Sequence, residues 1–184
     1  ENGHDALGLR GRRVLVTGAA SGIGKATALL LARLGADLVV TDVAPLADTE
    51  TQALKCGVKV TGRPGDLADE GFLQSLSLEP DLFAFANCAA VFSRDGWRAD
   101  LSPQDRFDLL MRINVRAPLV LGNALVDRFG ERGGGYVVLV GSAAGRNGGG
   151  IAGGTPMDYA ASKGGVHTLV RSLSRRGVSR NVLV

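Results

Sequence analysis

The sequence predicts an α/β fold, a doubly wound parallel sheet with helices on both faces. Three observations predict it. Short apolar, β-rich runs alternate with segments of helical periodicity. The runs are apolar in the manner of strands covered on both sides, and the 27 glycines supply many tight turns or close backbone approaches. At 184 residues the chain fits one domain, residues 1–184, with one core.

Taken in order, Val14-Leu15-Val16 reads as the first strand, and Gly22 to Leu34 has the apolar spacing of a helix that ends at Gly35. Leu38-Val39-Val40 follows and completes a βαβ unit. Val58-Lys59-Val60, Leu82 to Phe85, Tyr136 to Val140 and Val182 to Val184 are four further strands. Ser102-Pro103-Gln104-Asp105 reads as a helix start, with Ser102 as cap and Pro103 in the first turn, and a long helix runs from there toward Arg132. Gly145 to Gly154 reads as one surface loop. The last helix runs from Asp158 to about Arg176, and its early residues Ala160, Ala161, Ser162, Gly164 and Gly165 are small enough for another backbone to approach.

Composition excludes several classes of function. Lys and Arg number 21 against 18 acids, a net charge of +3, but they are scattered without a basic block, which argues against nucleic-acid binding. Cys56 and Cys88 lack CxxC spacing, and His4 and His167 stand far apart, so neither a metal site nor a disulfide framework is expected. Residues 1 to 11 lack the apolar run of a signal peptide and no stretch reads as a membrane span, from which a cytoplasmic protein is expected.

Thr17-Gly18-Ala19-Ala20-Ser21-Gly22-Ile23-Gly24 follows the first strand and opens the first helix. Bare backbone there brings N–H groups to a pyrophosphate at a helix N-terminus, and Gly18, Gly22 and Gly24 permit the tight turn and close approach of a Rossmann-type dinucleotide site. Asp42, at the end of the second strand, can accept hydrogen bonds from an adenosine ribose and would repel a 2′-phosphate. No basic residue follows it directly, and Ser21 rather than a cation precedes Gly22, so NAD is favoured over NADP. The plain alternative for Asp42 is a solvated turn residue.

Tyr159-Ala160-Ala161-Ser162-Lys163 places a phenol and an ammonium four residues apart, on one helix face. An ordinary tyrosine titrates near about pH 10, too high for a proton acceptor at neutral pH, and a nearby cation favours its phenolate. Taken alone, YxxxK is usually a helix-surface pair.

Together TGAASGIG, Asp42, Asn87-Cys88-Ala89-Ala90, Asn114, Gly141-Ser142-Ala143-Ala144-Gly145 and YAASK stand in the order of the short-chain dehydrogenase/reductase family, which the chain resembles from about Arg12 to Val184. The resemblance implies an oxidoreductase that moves hydride between NAD and a secondary alcohol or ketone. It implies Tyr159 as general acid/base, Lys163 lowering its pKa and holding the nicotinamide ribose, Ser142 hydrogen-bonding the substrate oxygen, and Asn114 supporting a proton relay. Plainer roles for the last two are a hydroxyl closing the fifth strand and a buried amide tying helix to sheet. The cofactor set is then Gly18, Ser21, Gly22, Ile23, Gly24, Asp42, Asp66 near the adenine, Asn87 and Ala89 beside the adenosine half, Tyr159 and Lys163. A homo-oligomer paired through the long helix after Ser102 and the helix after Asp158 is also implied.

Four departures from the family pattern stand out. Ala90 replaces a usual glycine, where a methyl could loosen binding or shift the turn. Asn147 to Gly154 lengthens the span between Ser142 and Tyr159, pointing to a flexible rim. Asp66 to Asn87 leaves little room for the usual third helix, and the substrate-covering loop and last strand of the family do not follow Val184. On that account the alternative is a cofactor-binding sensor or interaction module with little catalysis. Phe92, Arg94, Trp97 and Arg98 follow the fourth strand, where they line either a substrate pocket or a solvated loop.

Overall fold

The computed structural model describes residue 5, residues 7–149 and residues 154–184. Six parallel strands form one sheet: β1 (Arg13–Thr17), β2 (Asp37–Thr41), β3 (Val60–Gly62), β4 (Leu82–Asn87), β5 (Gly135–Leu139) and β6 (Val182–Leu183), in the order β3-β2-β1-β4-β5-β6. The strand order reverses between β1 and β4, and in open sheets ligands bind at the carboxyl ends of the strands at such a switch point.

Alternate residues of each strand serve opposite faces. Leu15, Val39, Phe85 and Val137 pack against Leu73 and Leu76 of α3 (Glu70–Ser77), Leu121, Leu125 and Phe129 of α5 (Ala117–Glu131), and Leu169 and Leu173 of α7 (Met157–Val178). Val14, Val16, Leu38, Val40 and Ala86 pack on the other face against Ala28 and Ala32 of α1 (Gly22–Arg33) and Ala53 of α2 (Ala47–Leu54). Beyond β4 this second face is open among the described residues, with Tyr136, Val138 and Leu183 exposed at 45%, 56% and 61%.

The expected elements form, with four differences. The third strand begins at Val60 rather than Val58: Lys59 donates its N–H to Asp37 Oδ1, and ladder pairing with β2 starts one residue later. The third helix fits between Asp66 and Asn87 after all, because Asp69 caps it, its carboxylate accepting the Phe72 N–H at 2.6 Å. Residues 145–147 of the expected loop belong instead to a short helix, α6 (Ala144–Asn147), while residues 150–153 of that loop lie outside the described residues.

The fourth difference lies in the long helix. α4 (Pro103–Met111) passes through a π turn (Arg112–Arg116) into α5, with the Ala117 N–H bonded to the Arg112 carbonyl five residues back. Pro118 has no N–H for the carbonyl of Asn114, so an undisturbed α-helical ladder is impossible here. By length and composition Pro103–Glu131 could cross a membrane, contrary to the sequence expectation that no stretch could. Leu121 and Leu125 are nevertheless fully buried in the core on one face of the sheet, and Leu110 is fully buried as well.

Candidate active site

The glycine motif runs from β1 into α1 along the switch point. Gly18 has φ +68°, and a Cβ there would stand 2.7 Å from the Ala89 backbone nitrogen. Gly22 has φ +52° and faces open space. Gly24 is helical, but a Cβ would lie 2.6 Å from the Gly18 carbonyl carbon and closer still to its oxygen. The three glycines therefore make the tight turn, the bare approach and the close contact between helix and turn that a dinucleotide cradle needs. Ser21 precedes α1 without a side-chain capping bond, and the helix carries no acid in its first turn, so its positive end is free of competing carboxylates.

A cleft of about 320 Å³ opens above this turn, lined by Gly18, Ser21, Gly22, Ile23, Gly24, Asp42, Asp66 and Ala89, eight of the residues expected to hold the cofactor. Asp42 is oriented by two backbone donors: Ala20 N–H to Oδ2 at 3.0 Å and Ala44 N–H to Oδ1 at 2.9 Å. Asp66 accepts the Ala68 N–H at 2.8 Å.

Asn87 is placed differently from the expectation. It is buried behind the wall, accepting the Thr17 hydroxyl at 3.0 Å and donating to the Ala89 carbonyl at 3.4 Å, while the Ala89 N–H donates back to Thr17 Oγ1. It fixes the shape of the wall. Ala90 lines the cleft with its backbone outside the left-handed region, so its methyl brings no backbone strain to the turn.

A larger cleft of about 530 Å³ lies at the amino ends of β1, β4, β5 and β6, among Arg12, Phe83, Arg132 and Tyr136, and holds none of the expected site residues. Position at the carboxyl ends of the strands, not size, marks the smaller cleft as the candidate site.

The second half of the site is built on α7. Lys163 is 2% exposed; its Nζ donates to the Val140 carbonyl at 2.8 Å, just past the end of β5, and lies 5.8 Å from the centre of the Tyr159 ring. Burial pushes the Lys163 ammonium below the usual lysine range. The small residues of α7 do what their size implies: Gly145 of α6 sits so close that a Cβ would be 2.7 Å from the Gly164 nitrogen. Ser142 is held nearby, its N–H donating to His167 Nε2 at 3.4 Å and its Oγ accepting the Ala144 N–H at 3.2 Å.

Asn114, in the π turn, is buried and spends its amide on structure. Its Oδ1 accepts the Val91 N–H at 2.8 Å, and its Nδ2 donates to the Val91 carbonyl at 2.9 Å and to Ser162 Oγ at 3.1 Å. This ties the segment after β4 to α7. Val91 lines the glycine-lined cleft, and the next residue, Phe92, packs edge-on against Tyr159 with ring centres 4.7 Å apart, so the two halves of the candidate site adjoin.

Sequence reasoning passed over Val43, Gly65, Leu67, Val91 and Ile113 in the cleft wall, and Asp158, which accepts the Ser93 hydroxyl at 2.7 Å. Gly65 alone had a legible signal, as a glycine next to Asp66; its N–H donates to the Asp42 carbonyl, and a Cβ would strike the Phe72 ring. Cys88 is half-buried, and burial pushes its thiol up.

The family model for short chain dehydrogenases matches residues 12–184. The chain belongs to the short-chain dehydrogenase family. Among curated relatives of this short-chain dehydrogenase, an uncharacterised oxidoreductase of Thermotoga maritima is 31% identical over 144 residues, 76% of this chain and 57% of that protein. A cyclohexanol dehydrogenase of Rhodococcus is 31% identical over 195 aligned positions, 93% of this chain and 70% of that protein. A short-chain dehydrogenase from Sphingobium yanoikuyae, solved in complex with NADPH, superposes with a TM-score of 0.81 at 26% identity, covering 93% of this chain and 68% of that one. The chain thus spans between about half and about two-thirds of these proteins' length.

Proposed function

We propose that this short-chain dehydrogenase is an oxidoreductase that interconverts a secondary alcohol and a ketone with NAD, Tyr159 being the general acid/base. One observation carries the reading. The buried Lys163 stands one helical turn from Tyr159 at the end of β5, beside a glycine-lined cleft at the sheet's switch point.

Gly18, Ser21, Gly22, Ile23 and Gly24 would hold the pyrophosphate of the dinucleotide, with Asp42, Asp66 and Ala89 along the adenosine. Bound there, the nicotinamide supplies the hydride donor or acceptor. The Tyr159 hydroxyl gives a proton to the ketone oxygen on reduction and takes one from the alcohol on oxidation. Ser142 Oγ accepts one N–H, which leaves its own O–H free to donate to the same oxygen as negative charge develops there. Lys163 would provide the local positive charge and hold the nicotinamide ribose. Asn114, its side chain fully used, contributes by fixing Val91 and Ser162 and by offering a main-chain carbonyl whose α-helical donor position is Pro118. Pairing of two chains through α4, α5 and α7 belongs to the same reading.

The preference for NAD rests on charge. Asp42 faces the cleft, Val43 follows it, and the nearby cations are engaged elsewhere: Lys25 pairs with Asp48, and Arg63 with Glu79 and Ser75. A 2′-phosphate would meet a carboxylate with no cation beside it to offset the repulsion. The NADPH bound to the Sphingobium protein makes this the part of the proposal most directly open to test.

Tyr159→Phe is the decisive variant: hydride transfer should fall by several orders of magnitude while NAD binding, followed by calorimetry, stays within about twofold. Turnover retained in the variant refutes the role of Tyr159. The alternative reading is a cofactor-binding interaction module. NAD binding without turnover across a broad alcohol panel would select it.

A further inference from the structure

We propose that the substrate of this site carries a carboxylate, held by Arg94 and Arg106 at the rim beside Tyr159. The proposal rests on the reading of Tyr159 as the group that meets the reacting oxygen.

Arg94, Phe92 and Tyr159 stack in a row: the guanidinium lies 5.5 Å over the Phe92 ring, and that ring meets the Tyr159 ring edge-on at 4.7 Å. A cation over an aromatic face is held in place without being neutralised. The charge of Arg94 is therefore positioned two side chains from the phenol. Arg106, in the first turns of α4, lines with Arg94 a cleft of about 370 Å³ whose other walls include Trp97, Pro156 and Asp158. Arg94 also borders the neighbouring opening formed with Thr155 and Pro156, just ahead of Tyr159.

Among the described residues neither guanidinium has a carboxylate within ion-pair distance, a state they share with eight other arginines, so what sets these two apart is their place on one cleft beside the Phe92 and Tyr159 rings. Two acids share the wall. Asp158 is tied down by the Ser93 hydroxyl and the Tyr159 N–H, both on Oδ1. Asp95 is the group that would oppose an incoming anion. Two arginine forks on one cleft match the planar, bidentate geometry of a carboxylate better than that of a neutral group.

Trp97 lines this cleft and is the single tryptophan of the chain, so its fluorescence reports occupancy independently of turnover. The full chain with NAD is titrated with β-hydroxybutyrate, lactate and mandelate, each beside its methyl ester. The expected result is a saturable Trp97 signal with at least one acid and none with its ester. Arg94→Gln and Arg106→Gln should each raise the half-saturating concentration about tenfold, as loss of one charge-assisted hydrogen bond implies. Asp95→Asn should lower it. Equal responses to acid and ester, no saturable response to any of the three acids, or acid binding unchanged in the two arginine variants each overturn the proposal. Acid binding without any hydride transfer counts against the oxidoreductase reading instead, and turnover of esters in preference to acids counts against this one.

Discussion

Gly24→Ala is the substitution on which the account of the cofactor cradle turns, because two effects predict opposite signs. Gly24 is helical, so intrinsic propensity alone predicts that alanine stabilises the protein by up to about 1 kcal/mol. The packing predicts the reverse. The new Cβ would stand 2.6 Å from the Gly18 carbonyl carbon and 3.0 Å from the Thr17 carbonyl oxygen, and both neighbours are backbone that cannot swing aside. Overpacking of this kind costs about 3 kcal/mol, the upper part of its usual range, which leaves a net loss near 2 kcal/mol after propensity is offset. Displacing Gly18 also displaces the Ala89 wall it touches, so NAD affinity should fall as well. Gly22→Ala is the control: nothing lies within 4 Å of its Cβ, but φ +52° costs a side chain about 1 kcal/mol, and the methyl projects at the cleft. It should lose NAD affinity with a smaller loss of stability. Urea denaturation with an NAD titration on both variants reads both quantities. A Gly24→Ala protein more stable than its parent, or one that binds NAD unchanged, refutes the contact between helix and turn.

Three further outcomes are expected. Asp42→Asn should weaken NAD about tenfold and NADP not at all, moving the preference toward NADP; equal weakening of both, by calorimetry, removes Asp42 from the discrimination. Lys163 is buried with its pKa lowered, so the unfolded chain binds its proton more readily, and this residue's contribution to stability should grow as pH rises toward its unfolded value of 10.5. The difference in unfolding free energy between the parent and Lys163→Met should therefore change in the parent's favour over that interval, and a flat difference removes the burial cost. Thr41 Oγ1 is buried with no hydrogen-bond partner among the described residues, so Thr41→Val should raise stability by about 1 kcal/mol in urea melts, and a loss of that size would reveal a partner.

The cofactor half was legible in the sequence because its chemistry is local. A strand, a glycine turn and a helix start occupy adjacent positions from Arg13 to Arg33, and the spacing of Gly18, Gly22 and Gly24 carries the geometry almost unaided. Asn87 was harder to place: its neighbours in sequence line the cleft, yet its side chain turns inward to Thr17, 70 residues away, a pairing that only the register of β4 on β1 creates. The π turn around Asn114 was missed although Pro118 is visible, because a proline four residues on permits either a kink or a change of ladder. Tertiary bonds from Asn114 to Val91 and Ser162 accompany the change of ladder. Residues 145–147 were read as loop for their glycine-rich continuation; packing of Gly145 against α7 overrides that local preference.

The two halves of the candidate site are held by different means, and this decides where variation is tolerated. Around the glycine turn, Thr17, Asn87 and Ala89 are locked in a closed set of hydrogen bonds, and backbone touches backbone at Gly18 and Gly24. Almost any added atom there is felt. Around Tyr159 the fixed points are fewer: Lys163 on the Val140 carbonyl, Ser142 on Ala144, and Asn114 between Val91 and Ser162. Beyond them Phe92, Arg94 and Trp97 belong to a segment between β4 and α4 that is anchored to α7 by the Ser93–Asp158 bond and the Phe92–Tyr159 contact. Substitutions at Arg94 or Trp97 can therefore alter what is bound without disturbing the cradle or Lys163. Substrate choice is expected to vary on this segment while the placement of Tyr159 and Lys163 on α7 stays fixed.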